Sequence, residues 1–129
     1  MNQLDPPMRD DIALEIRHFE QAPTAFFQAW KRGVKIAGYA YFGEGTREHW
    51  ERATDKWALC PNVNFIRRAI GAMSSGEKVF LAAMVSFYNA RDGGALLKRV
   101  GVRGLADLGN LDLNRRQVIS ALMRHYNGW

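Results

Sequence analysis

The sequence predicts an all-α fold, in which a single compact multi-helix domain surrounds a central buried helix near residues 75–89. Apolar side chains recur every three or four residues through most of the chain, and this is the spacing of helices rather than strands. A chain of 129 residues buries one ordinary core and is too short for two. We therefore expect one helical domain over residues 1–129, with residues 1–8 as a flexible N-terminal arm.

Two short helices are expected at the start of the chain, divided at Pro23. An apolar repeat after the first two prolines predicts a helix of about 11 residues; it consists of Ile12, Ile16 and Phe19. Proline is tolerated at the first position of a helix, so Pro23 predicts the beginning of the second one. Gly33 is expected to end it.

Residues 34–42 allow two interpretations. Their β-branched and aromatic residues suit a strand, whereas their alanines and glycines suit a tightly packed helix. The sequence offers no second strand with which this segment could pair. We therefore favour a helix here.

A mixed-charge helix is expected over residues 47–59, with Thr46 as its N-cap and Pro61 closing it. One face of it is apolar and consists of Trp50, Ala53 and Trp57. An asparagine, Asn62 or Asn64, then caps the next helix. The apolar residues of that helix are Phe65, Ile66, Ala69, Ile70 and Met73.

The helix over residues 75–89 is expected to form the centre of the core. Ser74-Ser75-Gly76-Glu77 is a capping box, in which the serine oxygen and the Glu77 carboxylate each satisfy a backbone N–H group. Apolar residues then cover almost the whole circumference of the helix, which is typical of a buried helix. Only a narrow polar or small stripe is left for solvent, made of Lys78, Ala82, Ser86 and Asn89.

A turn is expected at Asp92-Gly93-Gly94, followed by a short helix that Gly101 ends. The last helix is expected to run from Asp112 or Asn114 to His125. Its predicted inward residues are Val118, Ile119, Leu122, Met123 and Tyr126, with Gly128 at the C-cap and Trp129 as an anchor against the core.

Positive charge is concentrated in the second half of the chain. Residues 1–60 hold eight Lys/Arg and nine Asp/Glu, whereas residues 61–129 hold ten and four, so that the net charge of +5 comes from the second half. An anionic partner is therefore expected to meet that half. The alternative is a basic, solvated surface that binds no partner.

The last helix and the basic residues before it predict contacts with nucleic acid. Arg115 and Arg116 fall in its first turn, where cations oppose the helix dipole unless Asp112 neutralises them or an anion binds. Residues of these types contact phosphates and read base edges. The predicted nucleic-acid-binding residues are Lys98, Arg99, Arg103, Asn114, Arg115, Arg116, Gln117, Ser120 and Arg124. The alternative is an ordinary amphipathic helix with a solvated basic face.

Residues 105–108 and 118–122 together look like a helix-turn-helix, whose second helix enters the major groove of DNA. The match is imperfect. Its turn, from Gly109 to Leu113, is one or two residues longer than the usual three to four.

Two segments are similar to uncharacterised small proteins of proteobacterial plasmids and integrative elements. They run from Phe80 to Asn89 and from Arg115 through Ile119 to Tyr126 and Trp129. The resemblance implies a role in element maintenance, in transfer or in countering host defence. It carries no activity and assigns no functional residue.

Catalysis and metal binding are not expected. Cys60 could act as a nucleophile with His18, His49 or His125, but a lone cysteine at a helix end is more often a small packed residue. Glu48-His49 lacks a ligand four residues later, and the glycine pairs lack the spacing of a phosphate-binding loop. We therefore expect no enzyme activity, no cofactor and no metal.

Three observations argue against a disulfide-bonded, secreted or membrane-spanning protein. One cysteine forms no disulfide within the chain, the N-terminal residues lack the pattern of a signal peptide, and residues 79–85 are far shorter than the roughly 20 apolar residues of a membrane helix. We expect a cytoplasmic protein that does not enter a membrane. Its partner is a nucleic acid or, alternatively, a protein, which would need an exposed apolar patch with a polar rim.

Overall fold

The computed structural model describes residues 6–129, and in that range the fold is all-α. The first helix begins at Pro6, so the last three residues of the predicted arm, residues 1–8, are helical. Residues 1–5 of that arm lie outside the described range. Contacts between helices that are distant in sequence hold the described chain together.

Within residues 6–129 the chain forms six α-helices and four short 3-10 helices. The α-helices are α1 (Pro6–Ala37), α2 (Arg47–Arg52), α3 (Val63–Ala69), α4 (Ser75–Tyr88), α5 (Ala90–Arg99) and α6 (Leu113–His125). The 3-10 helices are Tyr39–Tyr41, Lys56–Leu59, Ile70–Ala72 and Leu105–Asn110. An isolated antiparallel bridge joins Phe42 to Pro61.

α4 is the central helix, as its apolar circumference predicts. Six consecutive side chains, residues 80–85, are buried, and α1, α5 and α6 all contact this helix. Ser74 Oγ accepts a hydrogen bond from the Glu77 N–H, as the capping box predicts, while the Glu77 carboxylate accepts from the Ser74 hydroxyl. Ala82 was expected on the solvent stripe, but it is fully buried because helices enclose α4 on that side too.

The two predicted N-terminal helices are one continuous helix, α1, with Pro23 inside it. A proline in a helix interior removes a backbone hydrogen bond and costs about 3 kcal/mol. The neighbouring side chains Ala22 and Phe26 are buried in the core, so packing outweighs this local cost. The predicted break at Pro23 is therefore wrong.

Gly33 does not end α1 either. A Cβ atom at Gly33 would lie 2.7 Å from Met84 Cε, so this glycine serves the close packing of α1 against α4. The helix continues to Ala37. Residues 34–42 are therefore mainly helical, as favoured from the sequence, with α1 followed by the 3-10 helix Tyr39–Tyr41.

The helix expected over residues 47–59 is divided into α2 and the 3-10 helix Lys56–Leu59. Thr46 is the N-cap of α2 as predicted, because its Oγ1 accepts from the His49 N–H at 3.1 Å. Asp55 begins the second piece by accepting from the Ala58 N–H at 3.1 Å. The side-chain cap at Asp55 gives the chain a second helix start that competes with continuation of α2.

The turn expected at residues 92–94 is wrong, because these residues lie within α5. Asn89 ends α4, and its side-chain oxygen accepts from the Asp92 N–H and so begins α5 at once. Gly93 faces the backbone of α4, where a Cβ atom would overlap Ser86 Cα. Glycine here permits close helix packing rather than a turn.

α6 begins at one of its two expected caps, since the Asp112 carboxylate accepts from the Arg115 N–H at 3.0 Å. Its C-cap is Tyr126 rather than Gly128. Met123 and Tyr126 were expected inward but are exposed. The three residues that fill the core side of α6 are Val118, Ile119 and Leu122.

The tryptophans divide between core and surface. Trp30 is fully buried, and its Nε1 donates to the Leu59 carbonyl at 2.9 Å. Trp129 anchors the end of the chain as predicted, with its ring centre 4.7 Å from that of Trp30. Trp57 is exposed because the predicted helix around it is divided.

The contact at Gly93 generates a stability prediction. Gly93→Ala should lower the free energy of unfolding by about 2 kcal/mol or more, because the new methyl group would overlap the α4 backbone. Gly94→Ala is the matched control, since a Cβ atom there meets nothing within 4 Å. That control should be neutral or gain up to about 1 kcal/mol. Urea unfolding followed by circular dichroism measures both, and equal midpoints would contradict the close contact.

Candidate partner-binding groove

The predicted nucleic-acid-binding residues lie on the end of α5, on the segment after it and on α6. Arg115 and Arg124 are nine positions apart on α6, and this places them on opposite sides of a helix with about 3.6 residues per turn. The two side chains therefore do not lie on one face of the helix.

Arg115 points towards the core. Its side chain is only 22% exposed, and its Nη1 donates to the Asp112 carboxylate at 2.9 Å. The guanidinium carbon lies 5.8 Å from the centre of the Phe80 ring, and Nε is buried with no hydrogen-bond partner among the described residues. Of the two expected ways to tolerate this arginine, the structure shows neutralisation by Asp112.

The polar residues of α6 tie this helix to α1. Arg32 of α1 donates through Nη2 to the side-chain oxygens of Asn114 at 3.3 Å and Gln117 at 3.1 Å. The Ser120 hydroxyl donates to the Gln117 carbonyl of its own helix at 3.1 Å. Two of the groups expected to read bases thus accept hydrogen bonds within the chain.

The helix-turn-helix interpretation does not describe the packing. The segment expected as its first helix is the 3-10 helix Leu105–Asn110, of which Leu105 is 78% exposed. α6, the expected second helix, packs mainly against α1. A sequence match over residues 105–122 therefore does not produce the arrangement of two α-helices that this motif requires.

An apolar groove lies between α5 and α6. Both helices contact α4 but hardly touch each other, and the 3-10 helix Leu105–Asn110 only partly covers the gap. The groove has a volume of about 380 Å³. Two of the apolar side chains that line it are exposed to solvent, Leu105 and the 59% exposed Met123. Its large apolar residues are Phe87, Leu97, Leu105, Leu108, Ile119 and Met123.

Cationic side chains of α5 and of the following segment border the groove. Arg103 lines it directly. Gly94 also lines it, and Arg91 and Lys98 lie three residues before and four residues after Gly94, on the same side of α5. Arg91, Lys98 and Arg103 are all exposed.

A further cation borders the groove from α6. Arg116 lies seven positions before Met123 on the same side of the helix, and its Nε donates to the Leu111 carbonyl at 2.8 Å. In the part of the chain that the structure describes, no acidic side chain lines the groove. Asp107 is held beside it by hydrogen bonds from the backbone N–H groups of Arg103 and the next residue, and these bonds lower the pKa of its carboxyl group.

Of the predicted binding residues, Arg103 lines the groove, and helical spacing places Lys98 on α5 and Arg116 on α6 beside it. Arg99 turns away, because its Nη1 donates to the Arg67 carbonyl at 2.7 Å. Sequence reasoning missed Arg91 and the apolar groove itself. The sequence signal that could have identified Arg91 is its helical spacing with Gly94 and Lys98. This spacing is recognised only if residues 92–94 are taken as helix.

Cys60 is a free, partly buried cysteine. Burial raises the pKa of its thiol, and Sγ donates to the Trp57 carbonyl at 3.2 Å. His49 is bound elsewhere, with Nε2 at 2.8 Å from the Ala58 carbonyl. Within residues 6–129, no group of three or more His, Cys, Asp and Glu side chains is placed to hold a metal.

A larger cavity of about 640 Å³ lies between α1 and the C-terminal residues, but a cation of the protein occupies its aromatic surface. Lys56 Nζ lies 5.5 Å from the ring centre of Phe26, 5.8 Å from that of Trp57 and 5.2 Å from that of Trp129. It also donates to the Gly128 carbonyl at 2.8 Å, and burial lowers its pKa. The Lys56 ammonium thus already has a hydrogen-bond acceptor and aromatic partners within the chain.

No protein-family model, curated protein or solved structure matches this chain. No helix in the described part of the chain is long and apolar enough to cross a membrane.

The inward position of Arg115 generates a second stability prediction. Arg115→Ala should lower the free energy of unfolding by about 1–2 kcal/mol, because it removes the bond to Asp112 and the contact with Phe80. Arg124→Ala, on the exposed side of the same helix, should stay within about 0.5 kcal/mol of the unsubstituted protein. Chemical unfolding measures both variants. If Arg124→Ala lowers the free energy of unfolding more than Arg115→Ala does, the assignment of Arg115 to the core side of α6 and of Arg124 to its exposed side is wrong.

Proposed function

We propose that this protein is a non-enzymatic binding module whose groove takes an acidic, amphipathic segment of a partner protein. The observation that carries the proposal is the coincidence of exposed apolar residues, Leu105 and Met123, with a border of exposed cations. Exposed apolar patches with a polar rim are typical of protein interaction sites.

The chemistry of the groove favours a protein over a nucleic acid. Phosphate groups need only cations, so a nucleic-acid backbone bound here would leave Leu105 and Met123 in water. An amphipathic helix places apolar side chains on one face and carboxylates beside them. It would bury both apolar residues and pair with Lys98, Arg103 and Arg116 at the same time.

The size of the groove limits the affinity. Its volume of about 380 Å³ lies at the small end of ligand pockets, so it accepts a few anchoring side chains rather than a whole helix. Burying an apolar side chain contributes about 1.5–3 kcal/mol, and each exposed ion pair contributes at most about 1 kcal/mol. We therefore expect a dissociation constant of roughly 10–100 μM for a single helical segment.

Nucleic-acid binding is the second candidate, because exposed cations continue beyond the groove to Arg124 on α6. A cytoplasmic location and a role carried by a plasmid or integrative element are also part of the proposal. The single cysteine supports the cytoplasmic location. The sequence resemblance supports the role carried by a plasmid or integrative element.

Two fluorescent helical peptides test the proposal. They share one leucine stripe and differ in carrying glutamates or lysines beside it. Fluorescence anisotropy should show the glutamate peptide binding at roughly 10–100 μM and the lysine peptide binding at least about tenfold more weakly. Equal affinity for both peptides would contradict the role of the cationic border. A labelled DNA duplex that binds more tightly than the glutamate peptide would favour the second candidate.

Matched variants locate the binding on the groove. Leu105→Gln should weaken binding of the glutamate peptide about tenfold, because a polar side chain replaces an apolar contact. Leu113→Gln is the control, since Leu113 is 69% exposed but lies outside the groove. Arg103→Glu should also weaken binding, whereas Arg52→Glu on α2 makes the same charge change at a distant position. Equal effects of a groove variant and its control would place the binding elsewhere.

A further inference from the structure

α1 has two halves with different surroundings. Beginning at Ala22, this helix contributes a series of buried residues to the core. Residues 8–21, which we call the overhang, are all exposed or partly exposed along nearly four turns of helix. His125 at the end of α6 stacks on His18, with ring centres 5.3 Å apart, near the base of the overhang.

The overhang carries an apolar stripe that continues the core side of α1. A spacing of four and three residues connects Ile12, Ile16, Phe19, Pro23, Phe26 and Trp30. Phe26 and Trp30, at the end of this series, are buried in the core. Ile12, Ile16 and Phe19 at its beginning are exposed, together with Met8. Such a spacing is typical of helices that pack lengthwise against another helix.

Charges on the overhang distinguish its two edges. Arg9 and Glu20 are eleven positions apart, about three helical turns, and so lie on the same edge of the stripe. Asp11 and Glu15, one turn apart, lie on the other edge. One edge thus carries opposite charges at its two ends, whereas the other is acidic.

We propose that a second copy of this chain covers the stripe, with the two overhangs packed antiparallel. The stripe is self-complementary about its middle: Ile12 lies opposite the partner's Ile16, and Met8 lies opposite the partner's Phe19. In this register Arg9 faces the partner's Glu20, and two-fold symmetry forms that pair twice.

The same charges oppose a parallel arrangement. In an antiparallel helix pair each edge faces its own copy, whereas in a parallel pair opposite edges face each other. A parallel pair would bring Glu15 towards the partner's Glu20, and these carboxylates repel. In the antiparallel pair the acidic edges still meet at Glu15, so the dimer is expected to be weak and dependent on concentration.

Sedimentation equilibrium over a range of protein concentrations tests the proposal. The unsubstituted protein should form dimers at about 100 μM chain. Ile12→Glu and Phe19→Glu should each weaken the dimer at least about tenfold, because each places a charge in the apolar contact. Leu14→Glu is the matched control: Leu14 is 57% exposed on the same overhang but lies on the side away from the stripe. Its dimer should be unchanged.

A charge exchange tests the antiparallel register. Arg9→Glu and Glu20→Arg should each weaken the dimer about threefold, and the double variant should restore it. A protein that stays monomeric, or a double variant that is not restored, overturns the proposal. Loss of the dimer in Leu105→Gln would also overturn it, because the overhang would then occupy the partner's groove. Ile12→Glu should bind the glutamate peptide normally, so this proposal and the proposed function fail independently.

Discussion

Burial of residues 80–85 of α4 determines how the other helices are arranged. Residues 80–85 are apolar without interruption, so α1, α5 and α6 must each cover part of this helix. α5 lies against the α4 backbone at Gly93, where no larger residue fits, and Arg32 ties α6 to α1. Two of the covering helices are thereby held apart. The groove is the space that remains over α4 between α5 and α6.

The packing of the helices determines where the basic residues of the sequence lie. The basic second half of the sequence includes α5 and α6, the two helices that border the groove. Arg91 and Lys98 follow one edge, and Arg116 follows the other. Charge alone would suit any anion, whereas the partner segment proposed above also has apolar side chains to cover the surface between the two edges. Arg115 contributes nothing to this border because α6 directs it towards Phe80.

Local sequence signals predicted the central helix and the first residues of several helices. The apolar run and the capping serine identified α4, and Thr46 and Asp112 were recognised as caps, because these signals act within one turn of helix. Pro23 and Gly93 misled the prediction. Each has a local preference for ending or turning a helix, and tertiary packing overrides that preference in both places.

The candidate site was predictable only in part. Lys98, Arg103 and Arg116 stood out because charge can be counted along a sequence. The groove could not be foreseen, since it is a gap between two helices that both contact α4, and a sequence does not show where two helices fail to meet. Met123 was expected to be buried because it follows the helical spacing of the inward residues. That spacing does not show that the neighbouring 3-10 helix, Leu105–Asn110, covers the groove only in part.

Chemical-shift mapping on isotope-labelled protein tests most directly whether the groove receives the partner segment. During titration with the glutamate-flanked leucine peptide, the amide signals of Leu97, Leu105 and Met123 should shift together and saturate at one common affinity. Shifts confined to the outer side of α6, around Ser120 and Arg124, would contradict binding in the groove.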